Sequence, residues 1–265
     1  MAERRRFWLL LVAAFLALPA TARAASCTPN VAGRALHLAA WQTAGGEGVV
    51  RLTFLGHASF LIESPQGITI VTDYNGYIKP AFLPDVVTMN HAHSTHYTDY
   101  PEPGIKYVLR GWDTGEGPPH WDLRVGDVRI RNVLTNIRNA GEPGGTEYGG
   151  NSIFVFETAD LCIAHLSHLH HTLTPEHLAD LGQIDVLLAP ADGIYTLSQR
   201  DMIEVIEQVH PALVIPMHLF GPPALERFLE RMNGRYPVRW SPAATVALSR
   251  DMLPKSTEMM ILPGF

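Results

Sequence analysis

The chain has 265 residues, a formal net charge of −6 and a hydrophobic content of 46%. That balance argues against nucleic acid or anionic lipid as the main partner, because either needs a basic surface. It also holds only two cysteines against thirteen histidines, which leaves histidine to supply the chemistry.

The first segment, MAERRRFWLLLVAAFLALPATARA, has a basic start at Arg4, Arg5 and Arg6, an apolar run from Phe7 to Leu18 and the small-residue end Ala22-Arg23-Ala24. This is the pattern of a secretory signal cleaved after Ala24. The apolar run is too short for a bilayer, which takes about 20 residues. The expected protein is periplasmic or secreted, with no stable membrane span once residues 1–24 are removed. Arg4-Arg5 permits twin-arginine export, but the long apolar run favours the general route. Ala24, where a lipobox normally has Leu, weakens a lipoprotein anchor at Cys27. Losing four arginines and one glutamate would bring the net charge to −9. Cys27 stands beside the new N-terminus and Cys162 inside an apolar run, so Cys162 is expected as a core residue and no disulfide is expected.

Residues 25–48 are Ala/Gly-rich and read as an N-terminal extension with one short helix around Ala35–Trp41. From Val49 the pattern changes. VVRLTFLG, ASFLIES and GITIVTD are short β-rich runs between turns, and DVVTMNH is a fourth strand that runs into a histidine cluster. KYVLRG, DVRIRNVLT, NSIFVFET, LCIAHLS and DVLLAPADG continue the rhythm. TPEHLADLG predicts a two-turn helix from Thr174. LSQRDMIEVIEQVH predicts a helix with Met202, Ile203, Ile206 and Val209 on one face, Ser198 as N-cap and Pro211 as stop. PPALERFLERMNG repeats the theme with Gly234 as C-cap. Residues 49–265 therefore read as one layered α/β (α+β) domain.

Histidines concentrate in two places: His91, His93 and His96 in MNHAHSTH, then His165, His168, His170 and His171 in AHLSHLHH. Residues two apart on an extended segment face the same side, so His91 and His93 can converge, with His96 joining after a turn. His168 follows a second apolar strand and His218, in VIPMHLF, a third. Strand ends delivering histidines to one edge build a metal pocket from distant sequence. His37, His120, His177 and His210 read as ordinary histidines.

The run VRLTFLGHASFLIES, ITIVTD, DVVTMNHAHSTH, LCIAHLSHLHH, DVLLAPADGIYTL and VIPMHLF resembles the metallo-β-lactamase-fold hydrolases. The resemblance covers residues 50 to about 220 and lies nearest the stand-alone zinc hydrolases that include ascorbate-6-phosphate lactonase-like enzymes. It implies a four-layer αβ/βα sandwich with a dinuclear site at one edge of the sheets. Position by position, the family motif H-x-H-x-D-H falls on His91, His93, Thr95 and His96, so its aspartate is replaced. The next family histidine falls on Asn136. The family's Gly-Asp bridge falls on Ser167-His168, and its last histidine is kept at His218.

Those departures change the expected chemistry. Two divalent cations about 3.5–4 Å apart repel, and carboxylates normally offset that repulsion. Without them the expectation is a single Zn2+, or another transition metal, held by His91, His93, His96, His168 and His218. Three histidines and a water make a catalytic site, whereas four with no open position make a closed one. Asp99 is the candidate general base. His57, Asp73, Thr95, Asn136, His165 and Asp192 are candidates for the pocket or for orienting ligands, and Tyr195 and Thr196 for substrate contact. The expected function is a metal-dependent hydrolase using metal-bound water on a small-molecule ester, lactone, amide or phosphoester. The alternative is a catalytically inactive metal-binding or ligand-binding member of the same fold.

Overall fold

The structure, a computed structural model, describes Cys27, residues 48–139, Gly141 and residues 144–264. The proposed signal segment and the helix expected around Ala35–Trp41 lie outside these residues. One sheet is built from β1 (Val50–Gly56), β2 (Ser59–Glu63), β3 (Thr69–Val71), β4 (Val86–Met89), β5 (Tyr107–Arg110) and β13 (Thr245–Leu248). The other takes β6 (Asp122–Val125), β7 (Val128–Arg138), β8 (Thr146–Thr158), β9 (Leu161–His165), β10 (Val186–Pro190), β11 (Leu213–Met217), β12 (Val238–Trp240) and β14 (Glu258–Ile261). Their orders are β13-β1-β2-β3-β4-β5 and β12-β14-β11-β10-β9-β8-β7-β6. Among the described residues three α-helices, α1 (Pro175–Leu181), α2 (Gln199–Val209) and α3 (Pro222–Met232), complete the α/β sandwich.

The unbroken apolar runs of the sequence are the central strands of the second sheet. Along β9, Leu161 and Ile163 face the first sheet, while Cys162 and Ala164 face the helices. On β10, Val186 and Leu188 take the first side, Leu187 and Ala189 the other. A strand covered on both faces has no polar side to show, which is why alternation is lost there. Met202, Ile203 and Ile206 of α2 and Leu225 and Phe228 of α3 pack on the outer face. Each such side chain contributes about 1.5–3 kcal/mol when fully buried. The outer face of the first sheet, with Val71, Val87 and Met89, packs on Tyr74 and Ile105 with Tyr97 and Trp112, which lie in the loops beyond the strands.

Helix ends follow the sequence signals. Thr174 accepts a hydrogen bond from the His177 backbone N–H, and Ser198 from that of Asp201. One end differs: the left-handed cap of α3 is Asn233, with φ of 50°, and not Gly234. Asn tolerates this conformation through its short polar side chain.

A larger correction concerns the cysteines. Cys27 and Cys162 form a disulfide, with Cα atoms 5.9 Å apart across a sequence separation of 135. Cys162 points from β9 toward the helical side and Cys27 lies buried against it. The Gln183 backbone N–H donates to the Cys27 carbonyl at 2.8 Å, a second tie on this residue. Closing a loop of this length is worth roughly 4–5 kcal/mol in the chain-entropy account. Isolated in an Ala/Gly-rich stretch, Cys27 carries no local signal of a partner so distant.

Candidate metal centre

Parallel strands place their C-terminal ends on one edge, where open α/β sheets bind ligands. β9 and β10 run parallel, as do β10 and β11. Beyond these strands follow Ser167-His168, Asp192 and His218 in turn, and β4 leads into Asn90-His91. The turn between β1 and β2 adds His57, whose carbonyl accepts the His218 backbone N–H at 2.7 Å. His57, Asp73, Ser167 and His218 all have positive φ, four of the eight such non-glycine residues described. Backbone held in this region costs free energy and concentrates at functional sites.

Four imidazoles meet at this edge. His96 is fully buried, and its Nδ1–H donates to Asp73 Oδ2 at 2.7 Å. His218 donates from Nδ1 to Asp192 Oδ1 at 3.1 Å. Both tautomers are thereby set, leaving each Nε2 as a lone pair. These two atoms lie 3.3 Å apart. His168 Nδ1 lies 3.0 Å from His96 Nε2. The nearby His57 Nε2 is buried without a hydrogen-bond partner, and one ligand atom from each of His57, His96 and His218 lies within 4.8 Å of the others.

These donors fit a metal ion. Zinc–nitrogen bonds of about 2.0–2.1 Å in a tetrahedron separate ligand atoms by about 3.3 Å. Two converging lone pairs and an orphaned ring nitrogen are costly when nothing lies between them. The electrostatics agree. Burial, then the neighbouring His218, lowers the His57 pKa to about 4. His96 is held well below the ordinary histidine value by burial and by the imidazoles of His218, His57 and His91. Burial and the neighbouring His96 and His91 lower His168 too. All three are thus neutral, the form that ligates. Burial pushes the Asp73 carboxyl up, against the opposing effects of His165, Ser167 and Asn90. For Asp192 burial acts upward as well, but hydrogen bonds from His218, Thr196 and the Ile194 N–H overcome it and hold the carboxylate low.

The other sequence candidates take different places. His91 is buried and donates from Nδ1 to the Gly150 carbonyl at 2.7 Å, its ring centroid 4.9 Å from that of His168. His93 is exposed, 3.0 Å from the Thr95 hydroxyl, and its ring centre is 6.0 Å from that of His96. His91 and His93 therefore flank the convergent group without joining it. Asn136 points away: its Oδ1 accepts from the Gly149 N–H at 3.0 Å. Asp99 is exposed and bonds to none of the histidines among the described residues. His165 lies beneath the site, donating to the Ala58 carbonyl at 2.7 Å and contacting Asn90 Nδ2 at 3.1 Å.

His57, expected only in the pocket or as a partner of the ligands, stands among the convergent rings, and Ser167, Asn90 and Arg138 carried no chemical signal in the sequence. The Ser167 hydroxyl donates to both Asp73 oxygens, at 2.9 and 2.8 Å, and the Asn90 N–H to Asp73 Oδ1 at 3.3 Å. Gly-His immediately after a strand was the available signal for His57. Ser167 and Asn90 had only their positions beside ligand-type residues.

Comparison with known proteins follows the same lines. A beta-lactamase superfamily domain model matches residues 51–218. A UPF0173 protein of Pyrococcus abyssi is 24% identical over 205 residues, covering 70% of this chain and 92% of its own. A UPF0173 metal-dependent hydrolase of Pyrococcus horikoshii is 28% identical, covering 64% and 84% respectively. Among solved structures, a candidate Zn-dependent hydrolase of the metallo-beta-lactamase superfamily from Thermotoga maritima superposes with a TM-score of 0.59 at 27% identity, over 80% of this chain and 98% of that one. These relatives correct the expectation of a periplasmic or secreted protein. They are UPF0173 proteins, several from Pyrococcus, and the domain match starts at residue 51, beyond the segment that prompted that expectation. No helix among the described residues is long and apolar enough to cross a membrane. By the extent of the domain match, the chain belongs to the beta-lactamase superfamily.

Proposed function

We propose that the chain is a metal-dependent hydrolase whose single ion is held by His57, His96 and His218 and which cleaves a small-molecule ester, lactone, amide or phosphoester. The observation that carries this reading is the convergence of the Asp73-seated His96 and the Asp192-seated His218, 3.3 Å apart at Nε2, beside the unpartnered His57 Nε2. An all-imidazole set suits Zn2+. The metal-dependent hydrolases among the relatives support the same class of chemistry. When bound, the ion supplies a water of lowered pKa and polarises the scissile group. Hydrolysis would join a water oxygen to carbon or phosphorus, break the bond to the leaving group and deliver a water proton to that group.

The protein's own residues orient the rings. Asp73 and Asp192 fix the ring positions of His96 and His218. His168 is held neutral by burial and by the neighbouring His96, with its Nδ1 3.0 Å from His96 Nε2. Asp99 has no part in this scheme. A second reading draws on the same contact. At 3.0 Å from His96 Nε2, His168 is close enough to serve as a fourth ligand, which would close the site and leave a metal-binding protein without turnover.

Metal analysis of the purified chain, with assays on lactones, aryl esters and phosphodiesters, tests these readings. We expect about one zinc per chain and turnover of at least one substrate class. Zinc without any turnover, together with metal loss in His168→Ala, selects the closed site. Absence of metal after growth with added zinc rejects both.

A further inference from the structure

We propose that Ile194, Tyr195 and Phe220 form the substrate-binding wall of this site, and that the substrate carries an aryl or bulky apolar group beside its scissile bond. This rests on the hydrolase reading above. The Phe220 ring centroid lies 5.5 Å from that of His57 and 5.4 Å from that of His218, edge-on to both. The Tyr195 ring is 5.2 Å from Phe220. Yet the three side chains are 58–67% exposed. Large apolar side chains left open beside converging polar groups are the usual composition of a small-molecule site.

The wall is also rigid. The Asp192 carboxylate accepts from the backbone N–H groups of Ile194, Tyr195 and Thr196, at 2.8, 2.6 and 3.3 Å. From the other side, Arg138 Nη2 lies 3.2, 3.0 and 2.9 Å from the carbonyls of the same three residues. Phe220 lies between β11 and the Pro222-Pro223 start of α3. Asp192 is also the partner of His218, so one carboxylate holds both the wall and a candidate ligand. Preorganised apolar surface binds without paying to order itself. Arg138 spends its guanidinium on the carbonyls of this loop. The wall's continuity with the histidine rings makes the reacting molecule its occupant.

The test uses the chain with its own metal complement and the exposed double substitution Tyr195→Ala/Phe220→Ala. The first readout is saturation-transfer NMR with 2-naphthylmethanol, a neutral aryl probe. The second is kcat/KM for ethyl phenylacetate against ethyl acetate, which share a leaving group. We expect probe binding in the wild type and its loss in the double variant, with Tyr195→Leu/Phe220→Leu restoring it. We also expect about a tenfold preference for the phenylacetate, carried mainly by KM and abolished in the double variant. Probe binding lost in the double variant, with no turnover of esters, lactones or phosphodiesters by the wild type, would support the wall while counting against the hydrolase reading. Turnover with no apolar preference, or probe binding unchanged in the double variant, would overturn the wall. A double variant that changes only the oligomeric state would overturn it as well, making the patch a contact between copies.

Discussion

The two sides of the histidine cluster are built differently. On one side His96 and His218 are buried, each seated by its own carboxylate, Asp73 or Asp192. On the other, His91 is held by a backbone carbonyl, and the exposed His93 by a threonine hydroxyl. Charged partners orient and strengthen an imidazole more than neutral ones do. Against the family pattern the sequence resembles, Thr95 and Asn136 remove ligand capacity and His168 exchanges a carboxylate for an imidazole, while Asp73 and Asp192 seat His96 and His218. The difference teaches that the proposed site would do without a bridging acid by seating each of two histidines on its own carboxylate.

The sharpest way to break this comparison is to empty the buried seat. Asp73→Ala leaves the N–H of His96, the Ser167 hydroxyl and the Asn90 N–H without their acceptor, and we expect a loss of about 3–5 kcal/mol in denaturant melts. Asp192→Asn keeps the shape and removes the charge. It should weaken zinc binding by about 10–100-fold in competition titrations. On the open side, Thr95→Ala should change stability by no more than about 0.5 kcal/mol and leave zinc affinity unchanged.

Acid provides a graded version of the same experiment on the metal-free protein. His57 and His170 each titrate near 4 when folded, lowered first by burial, against about 6.5 when unfolded. Between these values the unfolded chain binds more protons, so stability rises with pH across that window. Thermal melts in chelator should therefore show the melting temperature falling from pH 6.5 to pH 4, with no further loss from these two groups below it. Bound zinc should blunt the fall, because a ligated His57 is held neutral.

The sheets and the helices were legible because period and caps are local signals. The apolar runs at β9, β10 and β11, Thr174 and Ser198 as caps, and the strand-end histidines could all be read in the chain. What escaped depends on contacts between distant segments. The Cys27–Cys162 disulfide spans 135 residues. The promotion of His57 over His91 and His93 comes from the bond between its carbonyl and the His218 N–H, which ties a β-turn to another sheet. Asp73 and Asp192 were singled out, but which ring each one seats is set by the packing of the two sheets. Arg138, at the end of β7, gave no sign that it would hold the loop at 194–196.

The central claim is that His57 belongs to the metal set and His93 does not. Zinc per chain, measured by mass spectrometry on His57→Ala and His93→Ala purified side by side, tests it directly. We predict that His57→Ala loses most of its zinc while His93→Ala retains the wild-type content. Retention by His57→Ala with loss from His93→Ala would contradict it.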